Sequence, residues 1–110
     1  MPPIPFNSDG NNFDATQNLI MKKFIVERKL PGAGNLTPKE LKEISNAFVT
    51  AISASGKPLT WLHSFVTEDN IYCIHVAENE SDIREHAKHG NFPVHMIEEI
   101  KVIIDPSNAG

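Results

Sequence analysis

The stretch that decides the fold is TWLHSFVTEDNIYCIHVAENESDIREHAKHG, Thr60 to Gly90. Two runs rich in β-branched and aromatic residues, Thr60–Thr67 and Asn70–Glu78, flank Glu68-Asp69, which reads as a tight hairpin turn. Asn79 follows as a helix cap, and Ile83, His86 and Ala87 recur at helical spacing up to Gly90. Strand, turn, strand, helix is the centre of a split βαβ arrangement. The same stretch holds four of the five His (His63, His75, His86, His89), the one Cys (Cys73), the one Trp (Trp61) and the one Tyr (Tyr72). Borderline metal ligands, a nucleophile and proton-transfer groups are thereby concentrated in one part of the chain.

Working outward, the flanks supply the missing elements. Phe24–Leu30 reads as a strand closed by Pro31-Gly32. Thr37-Pro38-Lys39-Glu40 has the form of a capping box with Pro at the first helical position. Leu41, Ile44, Phe48, Ala51 and Ile52 continue it as an amphipathic helix that Gly56 and Pro58 end. Downstream, Asn91–Met96 reads as a connection and Glu99–Ile104 as the last strand, stopped by Pro106. The order β-α-β-β-α-β predicts an α+β, ferredoxin-like fold, with two helices on one face of an antiparallel four-stranded sheet. Residues 1–20 are rich in Pro, Asn, Asp and Gly and show no period, so they read as a flexible N-terminal extension to a domain over 21–110. Met21 reads as an alternative start, and Phe6 and Phe13 as points where the extension would hold to a surface.

Bulk properties exclude several classes. At 110 residues the chain is one small domain. A net charge of −4 with scattered Lys and Arg argues against nucleic acid as a partner, because phosphate binding needs a basic face. No apolar run approaches the roughly 18 residues of a membrane span, so no membrane is expected. The N-terminus lacks the basic start and apolar run of a signal peptide. A single Cys cannot form an internal disulfide, and a reducing, cytoplasmic setting is the default.

Both faces of the expected sheet carry apolar residues. Phe24 and Val26 alternate with Ile25, Trp61 and Phe65 with Leu62 and Val66, and Ile100, Val102 and Ile104 with Ile103. Two helices cover one face only, so the other predicts a second copy and a dimeric α+β barrel. For a two-residue turn at Glu68-Asp69, Ser64 faces Cys73 and Leu62 faces His75. Because Trp61, His63, Phe65, Tyr72, Ile74 and Val76 form the bulkier side, they are assigned to the helices. Ser64, Cys73 and His75 are then expected on the open side, lining the dimer cavity together with Glu27. A one-residue slip would exchange the two faces.

Each chemistry-bearing residue also has a plain structural reading. His86 and His89 form an H-x-x-H on one helix face, a spacing common among solvated helix histidines. His86 lies on the apolar stripe, so it is expected to point inward and to need Glu27 or a metal as partner. His63 and His75 read equally as core histidines. Cys73 reads as a small buried hydrophobe unless a neighbour such as His75 favours its thiolate. Glu78, Glu80, Asp82 and Glu85 suit the dipole of a helix start.

With these residues assembled, Met21–Pro106 resembles a family of small bacterial proteins of unknown function that includes a nickel-binding protein. The stretches that carry the resemblance are KFIVERKLPGAGNLTPKEL, WLHSFVTEDNIYCIHVAENE, IREHAKHGNFP and IKVIIDP. The resemblance implies a ferredoxin-like homodimer of the α+β barrel type and nickel or a similar divalent ion. Its motif positions fall on Glu27, Trp61, His63, Ser64, Cys73 and His86.

The expected function is binding of a divalent transition metal by His63, His86, Glu27 and Cys73. Imidazole suits nickel, copper and zinc alike. Ser64, His75, Trp61 and Tyr72 are expected to line the cavity. The alternative is a small cofactor-free enzyme of the oxygenase or isomerase type, with Glu27 or His86 as general base and Ser64 and Cys73 orienting a small organic molecule. A bare interaction module is the third reading.

Overall fold

A computed structural model describes residues 20–110. The extension expected over 1–20 lies outside the described residues except for Ile20. The elements are β1 (Lys22–Lys29), α1 (Pro38–Ser55), β2 (Thr60–Val66), β3 (Asn70–Ala77), α2 (Glu80–Gly90) and β4 (Met96–Glu99), with single 3-10 turns at Ala33–Asn35 and Pro106–Asn108. The sheet order is β2-β3-β1-β4, and every pairing in it is antiparallel. This is the expected ferredoxin-like α+β fold.

Local chemistry accounts for the element ends. Thr37 and Glu40 form the reciprocal capping box foreseen for α1, and Gly56 ends that helix with φ 66°. Asn79 caps α2 by accepting from the Asp82 N–H, and Asn91 closes it with φ 57°. The turn between β2 and β3 is tied to the loop after β1: the Leu30 N–H donates to the Asp69 carbonyl and the Gly34 N–H to that of Glu68. A Cβ on Gly34 would stand 3.0 Å from Glu68 Cα, tighter than ordinary packing, so that close approach favours glycine.

The core fills the space between the helices and one face of the sheet. Phe24 and Val26 of β1, Ile71, Cys73 and Ala77 of β3, Ile97 of β4, Phe48 of α1 and Ile83 of α2 belong to it. Cross-strand pairs are Phe24 with His75, Val26 with Cys73 and Arg28 with Ile71, so all six share the helix side. Lys23, Ile25 and Glu27 face the other way, paired with Val76, Ile74 and Tyr72.

The last strand departs from expectation. It runs Met96–Glu99, with Ile97 opposite Val26, within the stretch read as a connection, rather than over Glu99–Ile104. The Ile100 N–H still donates to the Lys23 carbonyl, but β1 begins at Lys22 and offers no partner beyond that point. Without a neighbouring strand among the described residues, a β-branched run leaves its backbone groups to water rather than to a ladder. Val102, Ile103 and Ile104 are accordingly extended arm residues, 74%, 63% and 76% exposed.

Candidate functional site

The expected faces of the β2–β3 hairpin are exchanged. Ser64, Cys73 and His75 lie on the helix side, not on the open face, while His63, Phe65, Tyr72, Ile74 and Val76 lie on the open side. The bulk of a strand face misjudges the burial side, because the helices bring their own large rings. Phe48 of α1 and Phe92 after α2 occupy the middle of the core, with ring centroids 4.8 Å apart. Small strand residues such as Cys73 and Ala77 must then oppose them. The register shift at Leu62 also breaks the expected Leu62–His75 pairing, and Trp61 pairs with His75 instead. That bulge turns Trp61 to the same side as Ser64, so Trp61 is the one ring of its expected set on the helix side, 5.2 Å from Phe48.

A polar thread runs through this apolar layer. Trp61 Nε1 donates to Ser64 Oγ at 2.9 Å, and Ser64 Oγ donates to Cys73 Sγ at 3.0 Å. From the other direction Arg28 Nε donates to Cys73 Sγ at 3.4 Å. The neighbour of the thiol is therefore a guanidinium and a hydroxyl rather than His75. Arg28 is buried, with Nη1 on the Pro93 carbonyl and the Phe48 and Phe92 rings beside its Cζ. Sequence reasoning passed over Arg28, although the alternation Phe24, Val26, Arg28 was the signal that could have found it.

His75 and His86 meet at the centre. Both are fully buried, their ring centroids are 5.3 Å apart, and Phe48 and Phe92 flank His86. None of their four ring nitrogens has a hydrogen-bond partner among the described residues. Burial, then the Arg28 charge and then His86, lowers the His75 pKa to about 3, and the nearby Thr60 backbone opposes this without completing a hydrogen bond. Burial, then Arg28 and His89, lowers the His86 pKa to about 4. Both imidazoles are thus neutral at neutral pH, each with a lone pair available. Buried imidazoles without partners are uncommon because each lost hydrogen bond is costly. His75 was expected only as a cavity residue; here it is the direct neighbour of His86.

The other expected ligands stand elsewhere. Glu27 faces the open side, where Asn70 Nδ2 and Tyr72 OH donate to its Oε2 at 3.2 and 3.4 Å. It is not the partner of His86, because the sheet lies between them. His63 is exposed on the same open side, its ring 5.2 Å from that of Phe65. One chain therefore keeps His86 and Cys73 apart from Glu27 and His63. Among the described residues no three His, Cys, Asp or Glu side chains gather closely enough to hold one ion.

Fold and core together define the class: a small ferredoxin-like α+β protein whose interior holds two neutral imidazoles without hydrogen-bond partners among the described residues. Residues 24–100 match the family model described as nickel responsive protein SCO4226-like, and the chain belongs to that family. The crystal structure of SCO4226 from Streptomyces coelicolor A3(2) superposes with a TM-score of 0.64 at 12% identity, covering 74% of this chain and 99% of that one. At that identity the likeness concerns the fold. No curated protein matches the chain.

Proposed function

We propose that the protein binds a divalent transition metal, nickel or a similar ion, with His86 and His75 as its imidazole pair. The observation that carries this reading is the pair itself: four buried ring nitrogens without partners, in side chains held neutral. Neutral imidazole is the metal-binding form, and the nickel-responsive description of the family points to the same chemistry. Cys73, two residues before His75 on the same side of β3, is the next donor. Glu27 and His63 are donors for the helix-free face, where a second copy would have to complete the coordination.

The protein is proposed to act as a homodimer in the cytoplasm. Half-buried Ile25 and Val76 on the helix-free face, with exposed Phe65 and the apolar arm Val102–Ile104, support a second copy as their cover. No helix among the described residues is long and apolar enough to cross a membrane.

Equilibrium titration of tag-free, metal-free protein with nickel, copper and zinc tests the reading. The expected result is stoichiometric binding that is lost in His75→Leu and in His86→Leu. Absence of binding for all three ions, or unchanged binding in both variants, would end it. Sedimentation equilibrium on the same samples tests the dimer.

A further inference from the structure

Between α1 and the sheet lies a cavity of about 420 Å³, within the range typical of small-molecule sites. Leu30, Leu36, Ile44, Phe48, Ile71 and Phe92 form its apolar walls, and Arg28 lines it with them. It is separate from the helix-free face and depends on no metal.

Arg28 is 2% exposed and carries a permanent charge. The ion pairs among the described residues are Arg84–Glu80 and Lys101–Glu99, so Arg28 has no acidic partner there. Its Nε and Nη1 are engaged by Cys73 and Pro93, and Nη2 has no acceptor. The π faces of Phe48 and Phe92, 5.2 and 5.5 Å from Cζ, favour the cation but accept no conventional hydrogen bond from it. A guanidinium buried without an anion is destabilising, and an anion that reaches it relieves that cost.

We propose that this cavity binds a monocarboxylate with an apolar tail, its head on Arg28 and its body against Leu30, Leu36 and Ile44. A carboxylate supplies the counter-charge that Arg28 lacks, and its planar geometry matches the guanidinium. Arg28 carries a single positive charge, so a singly charged head is balanced by it, whereas a phosphate dianion would leave excess charge buried in an apolar cavity. Glu40 and Glu43 also line the cavity but are exposed, and Glu40 is engaged by the Thr37 N–H. Water and salt screen their charge, whereas the buried guanidinium is screened far less.

The test uses the full chain and three probes that differ only in head group: octanoate, octanol and octylamine. Calorimetry measures affinity. Trp61 emission gives a second readout, because its ring packs against the cavity residue Phe48. Octanoate is expected to bind saturably at one per chain, octanol at least about tenfold more weakly, as for loss of a charge-assisted hydrogen bond, and octylamine not at all. Arg28→Met is expected to abolish the preference for octanoate over octanol. Should that variant not fold, Ile44→Trp fills the cavity from α1 and is expected to block octanoate. Equal affinity for octanoate and octanol, preference for octylamine, no binding of any probe, or octanoate binding that survives Ile44→Trp would overturn the proposal.

Discussion

The two sides of the sheet are built by the same strands and have opposite chemistry. On the helix side, Arg28, Cys73, His75 and His86 are buried, and several of their polar atoms lack partners. On the open side, Glu27 has two donors, Asn70 and Tyr72, and His63 is exposed. Alternation along a strand sends neighbouring residues to media of very different polarity. His75 and His86 on the helix side are therefore strongly perturbed by burial, while His63 on the open side stays beside water. In the proposed reading, ligand binding draws on the helix side and association between copies on the open side.

Core truncation gives the largest expected contrast. Phe48→Ala should destabilise the fold by about 3–5 kcal/mol, as for other buried aromatic residues. Phe65→Ala, at a residue 56% exposed, should change folding by no more than about 0.5 kcal/mol while weakening self-association. Denaturant unfolding with parallel sedimentation checks both. Equal losses of folding stability would dissolve the distinction between the sides.

Acid gives the next largest. The His75 and His86 pKa values are lowered in the folded protein to about 3 and about 4, from an ordinary 6.5. As pH falls below 6.5 the unfolded chain takes up protons that the folded chain refuses. Stability is therefore full above that pH and is lost on the way down to the folded-state values. Each histidine should remove up to about 1.4 kcal/mol per pH unit in this window. Metal-free protein followed by denaturant unfolding between pH 7 and 4 measures the slope. His75→Leu/His86→Leu should flatten it; a slope that persists in that double variant would move its origin away from the buried pair.

Cap removal is smaller. Thr37→Ala and Asn79→Ala should each cost about 1 kcal/mol, seen as faster amide exchange in α1 or α2 with little change in β2. Uniformly faster exchange would mean that helices and sheet open as one unit. The smallest effect is expected for Glu27→Gln, which keeps an acceptor for Asn70 and Tyr72: within about 0.5 kcal/mol in stability, with nickel binding by the buried pair intact. Loss of nickel binding in that variant would move the ion to the open side.

Order and kind of element were legible in the sequence, for local reasons. The capping box at Thr37, the Asn79 cap and the turn at Glu68-Asp69 each satisfy backbone groups within a few residues, and such signals need no distant partner. The inward position of His86 was also legible, because helical spacing beside Ile83 and Ala87 is a local pattern. β4 was not: IKVII has stronger strand character than MIEE, yet pairing depends on where β1 begins, a long-range fact.

What the sequence alone determined, then, is the βαββαβ order and the residues from which a site can be made. Only the tertiary structure decided which side each of them takes. Strand parity is known up to a single binary choice, and one bulge at Leu62 or one misjudged face reverses it for a whole strand. The choice is made by the packing of Phe48 and Phe92 against Cys73 and by the pairing of β1 with β3, contacts between residues far apart in the chain. Those contacts bring His75 to His86, leave Glu27 across the sheet, and bury Arg28 beside an apolar cavity.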